Sequence, residues 1–333
     1  MSDKIAPHIA KLYEEALLWD THSGFMPDPA ADLENLRFWK DAGFTHLSID
    51  VGFDLMTSQQ TLTTLVTFRD WLAARPDAFI LARTAADVRR AKSEGKMSIS
   101  FDVEGMNALD GRPEMVSFYH ALGVRQILFA YNRNNGAGGG CHDEDCGLTA
   151  FGREVIDEMN RLGMFVDVSH AGYRTSMAVM DYSSRPVIFS HSNARAVQPH
   201  GRNITDEQIR ACAATGGVIG VVGLGLFLGA GADMPARLAD HIEHLIAVAG
   251  PDHVGIGLDF GFPVEVGDVQ QMLVDHADFW PRSEGYLDGP MQYMMPAQIL
   301  DTVIELDRRG HSEATLRGFL GGNFLRLADT VWR

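Results

Sequence analysis

The chain has 333 residues, 46% of them hydrophobic and 22% charged, a globular balance that excludes a disordered or collagen-like chain. That length suits two average domains or one α/β barrel with insertions. Lys and Arg number 28 and Asp and Glu 44, a net charge of −16 that argues against broad nucleic-acid binding and against anionic membranes.

The three cysteines, at positions 141, 146 and 212, are too few and odd in number for a disulfide scaffold. A reducing, cytoplasmic setting is the expectation. Residues 1–15 are charged and hold no apolar signal core. No window reaches the ~18 apolar residues of a spanning helix. Residues 329–333 carry no apolar tail, so no membrane anchor is expected.

Short runs rich in Val, Ile, Leu and Phe recur along the chain, as in strands buried on both faces. They predict strands over 17–22, 45–51, 97–104, 124–132, 164–170, 186–191, 217–223 and 253–259. Helical spacing fills several gaps. Residues 151–162 place Val155, Met159 and Leu162 on one side, 206–214 follow a cap at Thr205, and 236–249 carry Leu238, Ile242 and Leu245. A closing helix over 314–327 has a break at Gly321 and Gly322.

Eight strands alternating with helices predict a (β/α)8 TIM-like barrel forming a single catalytic domain over residues 1–333. An open doubly wound sheet alternates in the same way, but the strand count and the polar residues favour the barrel. Two stretches read as irregular: the Gly-rich loop 132–147 and an insertion near 262–290. In a barrel both lie on the C-terminal face, where sites are built.

The polar residues fall at strand ends. Strand one ends in Asp20 and His22, strand three in Glu104, strand five in Asp167 and His170, strand six in His191, and strand eight in Asp259. A barrel gathers such ends on one rim. Imidazole and carboxylate suit zinc, so His22, Glu104, His170 and His191 form a candidate metal set. Metal-bound hydroxide would attack an amide or ester carbonyl, with Asp259 moving the proton. Against this stands the count of 13 histidines, because one His at a strand end is more often structural than ligating.

Arg202, in the run HGRNITDE, suits a bidentate substrate carboxylate, although a loop salt bridge explains its spacing as well. His200 reads as structural or solvent-facing. The segment 141–146 (CHDEDC) lacks the second pair of a zinc ribbon and reads as a solvated acidic loop. The glycines of 136–140 precede no GK[ST], so they form no phosphate loop. Met291, Met294 and Met295 read as packing.

These residues resemble the membrane (renal) dipeptidase family, zinc peptidases within the amidohydrolase superfamily. The densest likeness runs over 147–222, where DVSH and SHSNAR are followed by RN. VEG at 103–105, GIGLDF at 255–260 and the final LGGNFLRL add to it. The resemblance implies hydrolysis of a dipeptide or dipeptide-like amide, and a homodimer.

The resemblance also implies residue roles. His22 matches the first-strand ligand and Glu104 the carboxylate bridging two zinc ions. His170 and His191 match the ligands of the second zinc, Arg202 the substrate-carboxylate residue, and Asp259 the proton carrier.

Three positions depart from the family pattern. Gly24 stands where the family has an Asp ligand, so the first zinc site loses a ligand unless Asp20 replaces it. Tyr131 stands where the family has a His, and its hydroxyl is a candidate donor to a developing oxyanion and to substrate. The family's DFDG reads Asp259-Phe260-Gly261-Phe262.

Two alternatives stay open at this level. One is a mononuclear amidohydrolase acting on another amide, a lactone or an N-acyl amino acid. The other is a non-catalytic small-molecule binding barrel.

Overall fold

The computed structural model describes residues 5–24, 27–229, 233–262 and 266–333. Nine strands occur among them: β1 (Trp19–Ser23), β2 (His46–Phe53), β3 (Phe79–Leu81), β4 (Met97–Glu104), β5 (Val124–Leu128), β6 (Phe165–Asp167), β7 (Val187–Ile188), β8 (Ile219–Val221) and β9 (Val254–Ile256). Eight pair in parallel in the order β7-β6-β5-β4-β2-β1-β9-β8. A parallel bridge from Phe189, just past β7, to Ile219 on β8 brings the two ends together. The result is a nearly closed (β/α)8 barrel with helices between the strands, as the alternation predicts.

β3 is the strand the sequence reading misses. Its three residues pair with Met97–Ile99 of β4, and from Phe101 onward β4 pairs with β5. β3 therefore fills the lower part of the edge that β5 takes above. Its signal is the five-residue apolar run 78–82 after Pro76 and Asp77, which the sequence reading passed over.

Several predicted strands are also shorter than expected. The runs 124–132, 164–170 and 253–259 give strands that end at Leu128, Asp167 and Ile256. Beyond those points Asn132, His170 and Asp259 adopt φ of 59°, 59° and 55°. Left-handed backbone is uncommon for non-glycine residues and cannot continue a strand. Each kink turns a side chain out of the strand and over the barrel mouth.

β4 shows why these residues make this barrel. Ser98, Ser100, Asp102 and Glu104 alternate with Met97, Ile99, Phe101 and Val103. Strand geometry puts each set on its own face. The apolar set belongs to the main core. The polar set forms a buried row that ends at the site.

The helices follow their expected signals. Asp206–Ala214 starts at a Thr205 capping box completed by Gln208. The closing helix breaks where the Gly pair predicts, into Glu313–Arg317, a wide turn and Asn323–Val331.

The 262–290 stretch is less irregular than expected. It contains a helix, Val266–Asp275, and a short 3-10 turn, Arg282–Glu284, while residues 263–265 lie outside the described residues.

Candidate active site

His22 is the fourth residue of β1, and Glu104 ends β4. His170 and His191 lie just beyond β6 and β7, and Asp259 just beyond β9. Closure brings all five together.

The Nε2 atoms of His22, His170 and His191 lie 3.5, 3.5 and 3.4 Å from one oxygen of Glu104. His170 Nε2 and His191 Nε2 are 2.8 Å apart, and Asp259 lies 3.7 Å from His22 Nε2. Ligand atoms of His22, Glu104 and His191 fall within 4.8 Å of one another.

Each imidazole is held from behind. His22 Nδ1 is 2.9 Å from Asp102, His170 Nδ1 is 2.6 Å from Asn132 Oδ1, and His191 Nδ1 is 2.8 Å from Ser190 Oγ. Such contacts fix which nitrogen faces the centre. The centre itself is buried and unsatisfied. His22 Nε2, both Glu104 oxygens and one oxygen each of Asp50 and Asp102 have no hydrogen-bond partner. Buried polar atoms are normally paired. Four carboxylates, Asp50, Asp102, Glu104 and Asp259, crowd this volume, and a cation relieves their repulsion. The donor set therefore fits a divalent metal that takes nitrogen and oxygen ligands.

The titration behaviour follows from burial and charge. Burial raises the Glu104 carboxyl to about 8, although His22 opposes the shift. Burial disfavours a protonated His22, but Glu104 and Asp102 outweigh it and hold its pKa well above the usual value. Burial, with Arg202 and His22 nearby, keeps His170 and His191 neutral, the form that ligates a metal. Burial also raises Asp259.

Asp20 does not lie with these groups. One of its oxygens accepts from Trp39 Nε1 (2.7 Å) and Ser23 Oγ (2.8 Å), the other from the Leu258 and His22 amides (3.0 and 3.3 Å). It fastens β1 to the chain beyond β9 and has no oxygen left to replace the missing ligand. Gly24 cannot regain that ligand simply. Its φ is +95°, and an added Cβ would stand 3.2 Å from Ile49 and from Phe262.

Asp167, the other acid at the end of strand five, also serves the frame. It accepts from the Ser169 and Ser190 amides at 2.9 and 3.1 Å, tying β6 to the chain after β7.

Arg202 is buried beside the histidines. It donates to the His191 carbonyl (2.8 Å) and Ser192 Oγ (3.3 Å), lies over the Phe227 ring, and has no partner at Nε. It helps line a cavity of about 320 Å³ that His170 also borders. Tyr131 stacks on the His170 ring at 4.3 Å. Burial, followed by the charges of Glu104 and Asp259, pushes its hydroxyl pKa far up, so it stays protonated.

The long segment after β9 crosses this mouth. Asn132 Nδ2 donates to the Phe279 carbonyl, His142 Nε2 meets the Tyr286 hydroxyl at 2.8 Å, and His200 Nε2 donates to the Glu284 carbonyl. His200 and His142 thus serve as anchors for the crossing segment.

The sequence reading did not single out Asp102 or Asn132, and it placed His142 in a solvated acidic loop. Asp102 had a visible signal, since it precedes Glu104 by two residues and shares its face. The roles of Asn132 and His142 had none, because their partners are distant in sequence.

A (β/α)8 barrel with histidine and carboxylate side chains gathered at its C-terminal mouth defines a hydrolase fold of the amidohydrolase type. An amidohydrolase crystal structure from Pseudomonas aeruginosa is similar to it, with a TM-score of 0.88 and 28% identity over 97% of this chain and 99% of that one. The crystal structure of dipeptidase AC, a metallopeptidase, shares the fold with a TM-score of 0.74 and 24% identity, over 95% and 99% of the two chains.

Residues 7–274 match the family described as membrane dipeptidase (peptidase family M19), and the chain belongs to that family of peptidases. A Klebsiella pneumoniae protein described as uncharacterized, in the pqqA 5′ region, is 31% identical over 268 residues, covering 76% of this chain and 89% of that one. Dipeptidase verJ of Clonostachys rogersoniana is 31% identical over 268 residues, 77% and 61% of the two chains. An uncharacterized dipeptidase of Schizosaccharomyces pombe is 40% identical over 183 residues, 52% of this chain and 44% of that one. The matched regions span less than two thirds of the last two relatives. Among the described residues, no helix is long and apolar enough to cross a membrane.

Proposed function

We propose that this protein is a zinc-dependent dipeptidase. It hydrolyses the amide bond of a dipeptide, or of a dipeptide-like small molecule with a free carboxylate. The reading rests on the meeting of three imidazole nitrogens at one Glu104 oxygen, in a buried centre whose polar atoms lack partners. Glu104, His170 and His191 would hold one ion, and His22 with Glu104 would bind a second. Zinc bound there supplies Lewis acidity for the scissile carbonyl and makes water more acidic.

The chain's own residues do the rest. The buried Arg202 guanidinium holds the substrate carboxylate in a charge-assisted contact. It thereby orients the amide over the histidines. Asp259 takes a proton from the attacking water and passes it to the leaving nitrogen, a task suited to a carboxyl whose pKa burial has raised. Tyr131 keeps its phenol proton and donates toward the oxygen on which negative charge develops. The segment that crosses the mouth keeps bulk water out. Residues 1–333 act as one catalytic unit, and the free cysteines fit a cytoplasmic setting.

Amino-acid release from L,L and L,D dipeptides, with zinc-loaded and chelator-stripped protein, tests the reading. Zinc-dependent release is expected. Full zinc loading without release from any dipeptide would overturn it.

One observation favours a second reading. Gly24 supplies no ligand and Asp20 is engaged elsewhere, so a single ion fits the residues as well as two. A mononuclear amidohydrolase acting on another amide, a lactone or an N-acyl amino acid would bind one zinc per chain and cleave those substrates instead.

A further inference from the structure

Tyr131 and Asn132 hold His170 from two sides. The Tyr131 ring stacks on the imidazole at 4.3 Å, and Asn132 Oδ1 lies 2.6 Å from its Nδ1. The two residues are consecutive and follow β5, and Asn132 carries the left-handed φ of 59°. Such backbone persists at a non-glycine residue only where its surroundings impose it. The indole N–H of Trp280 donates to the Tyr131 hydroxyl, which leaves the phenol proton for another acceptor.

One buried carboxylate fixes where this pair begins. Asp54 lies just beyond β2. One of its oxygens accepts from the Tyr131 amide (3.1 Å) and from Asn135 Nδ2 (2.8 Å), and the other from the Asn107 amide (3.0 Å). Its own amide donates to the Glu104 carbonyl (3.0 Å). Asp54 thereby ties the chain beyond β2 to the ends of β4 and β5. Because β5 ends at Leu128, a side chain and not the sheet receives the Tyr131 amide. Gly105, the residue after Glu104, leaves the room for this. Its φ is +122°, and an added Cβ would collide with the Asp54 carboxylate.

We propose that Asp54 is a positioning residue for hydrolysis. By holding the Tyr131 amide it sets where the phenol hydroxyl points and, through the next residue, how the ring of His170 is turned toward the metal. The proposal rests on the dipeptidase reading and gives Tyr131 and Asn132 a common anchor within it. Asp54 itself touches no reacting atom. A carboxylate suits the place because both of its oxygens only accept. An asparagine would aim an N–H at one of the three donors.

Two double-mutant cycles test this, one of them independent of hydrolysis. The first follows zinc affinity by chelator competition. Asp54→Asn should weaken zinc binding about tenfold in the wild-type background, and by no more than about twofold once Asn132→Ala has freed His170. The second follows turnover of glycyl-L-alanine at saturating zinc. There Asp54→Asn should lower kcat about tenfold with KM little changed, and by no more than about twofold in a Tyr131→Phe background.

A residue that only stabilises the fold would cost the same in each background, so additive losses in either cycle would overturn the proposal. Wild-type zinc affinity and turnover in Asp54→Asn would overturn it as well. If Asp54→Asn does not fold, Asn135→Asp takes its place. That change sets a second carboxylate against Asp54 and keeps the oxygen that accepts from the Ala137 and Gly138 amides. The same pattern of coupled losses is expected. Zinc-loaded wild type that releases no amino acid from any dipeptide would sink the dipeptidase reading, and the zinc cycle would then decide the role of Asp54 alone.

Discussion

His22 and His46 are both buried histidines, and both lean on β4, yet they do opposite things. His46 meets Ser98 Oγ at 2.9 Å and Ser100 Oγ at 3.2 Å, so both its nitrogens are satisfied. Its ring packs 4.0 Å from Trp19, and burial drives its pKa down to about 3. His22 meets Asp102 at one nitrogen, while its other nitrogen faces Glu104 with no hydrogen-bond partner. One end of the polar row on β4 is a finished hydrogen-bond network, and the other end is a set of atoms waiting for a ligand. Burial alone therefore does not mark a functional histidine. What sets His22 apart is an unpartnered nitrogen that faces a buried carboxylate.

Substitutions at the two ends should separate function from stability. Glu104→Gln should have the largest effect. Zinc content measured by mass spectrometry should drop, and turnover should fall about a thousandfold or more, since the metal's share of catalysis is several kcal/mol. The metal-free variant should melt no lower than metal-free wild type, because an unpaired buried acid has been removed. A clear loss of melting temperature would break the contrast and make Glu104 a structural residue.

Asp259→Asn should lower kcat by about 10²–10⁴-fold with zinc content unchanged, the range expected for a lost proton carrier. Loss of zinc in that variant would reassign Asp259 as a ligand. Asn132→Ala should weaken zinc binding by about 10–100-fold in a chelator competition, because it frees the ring of His170.

His46→Gln should leave turnover unchanged and act on stability. A histidine held neutral with a pKa near 3 stabilises the fold above its ordinary value of about 6.5. The unfolded chain binds the proton first as pH falls, so that contribution fades between about 6.5 and 3. The variant's melting temperature should be lower at neutral pH and change less across this window. An unaltered acid limb would show that His46 is not the group responsible.

Much of this was legible in the sequence because it is local. Alternation in residues 97–104 announces a strand with one polar face, and Thr205 with Gln208 announces a helix start. The histidines and acids at strand ends point to one rim once a barrel is assumed. Three of the strands that were read too long run into backbone the sequence does not announce. The sequence carries no sign that Asn132, His170 and Asp259 turn left-handed, since tertiary contacts impose that backbone. β3 lay in a visible apolar run, 78–82, whereas the segment after β9 hid its anchoring to loops more than 80 residues away in sequence.

Asp20 and Asp102 mark the boundary most sharply. Each stands two residues before a residue of the site, so spacing puts each on its neighbour's face. Asp102 supports His22, whereas Asp20 is consumed by Trp39, Ser23 and Leu258. The sequence by itself determined the residue types, their alternation and the order in which they arrive. Only the closed barrel decided which strand ends meet, which acids find partners and which are left bare. Strand spacing sets a side chain's face, whereas the stagger of neighbouring strands sets its depth and therefore its partners.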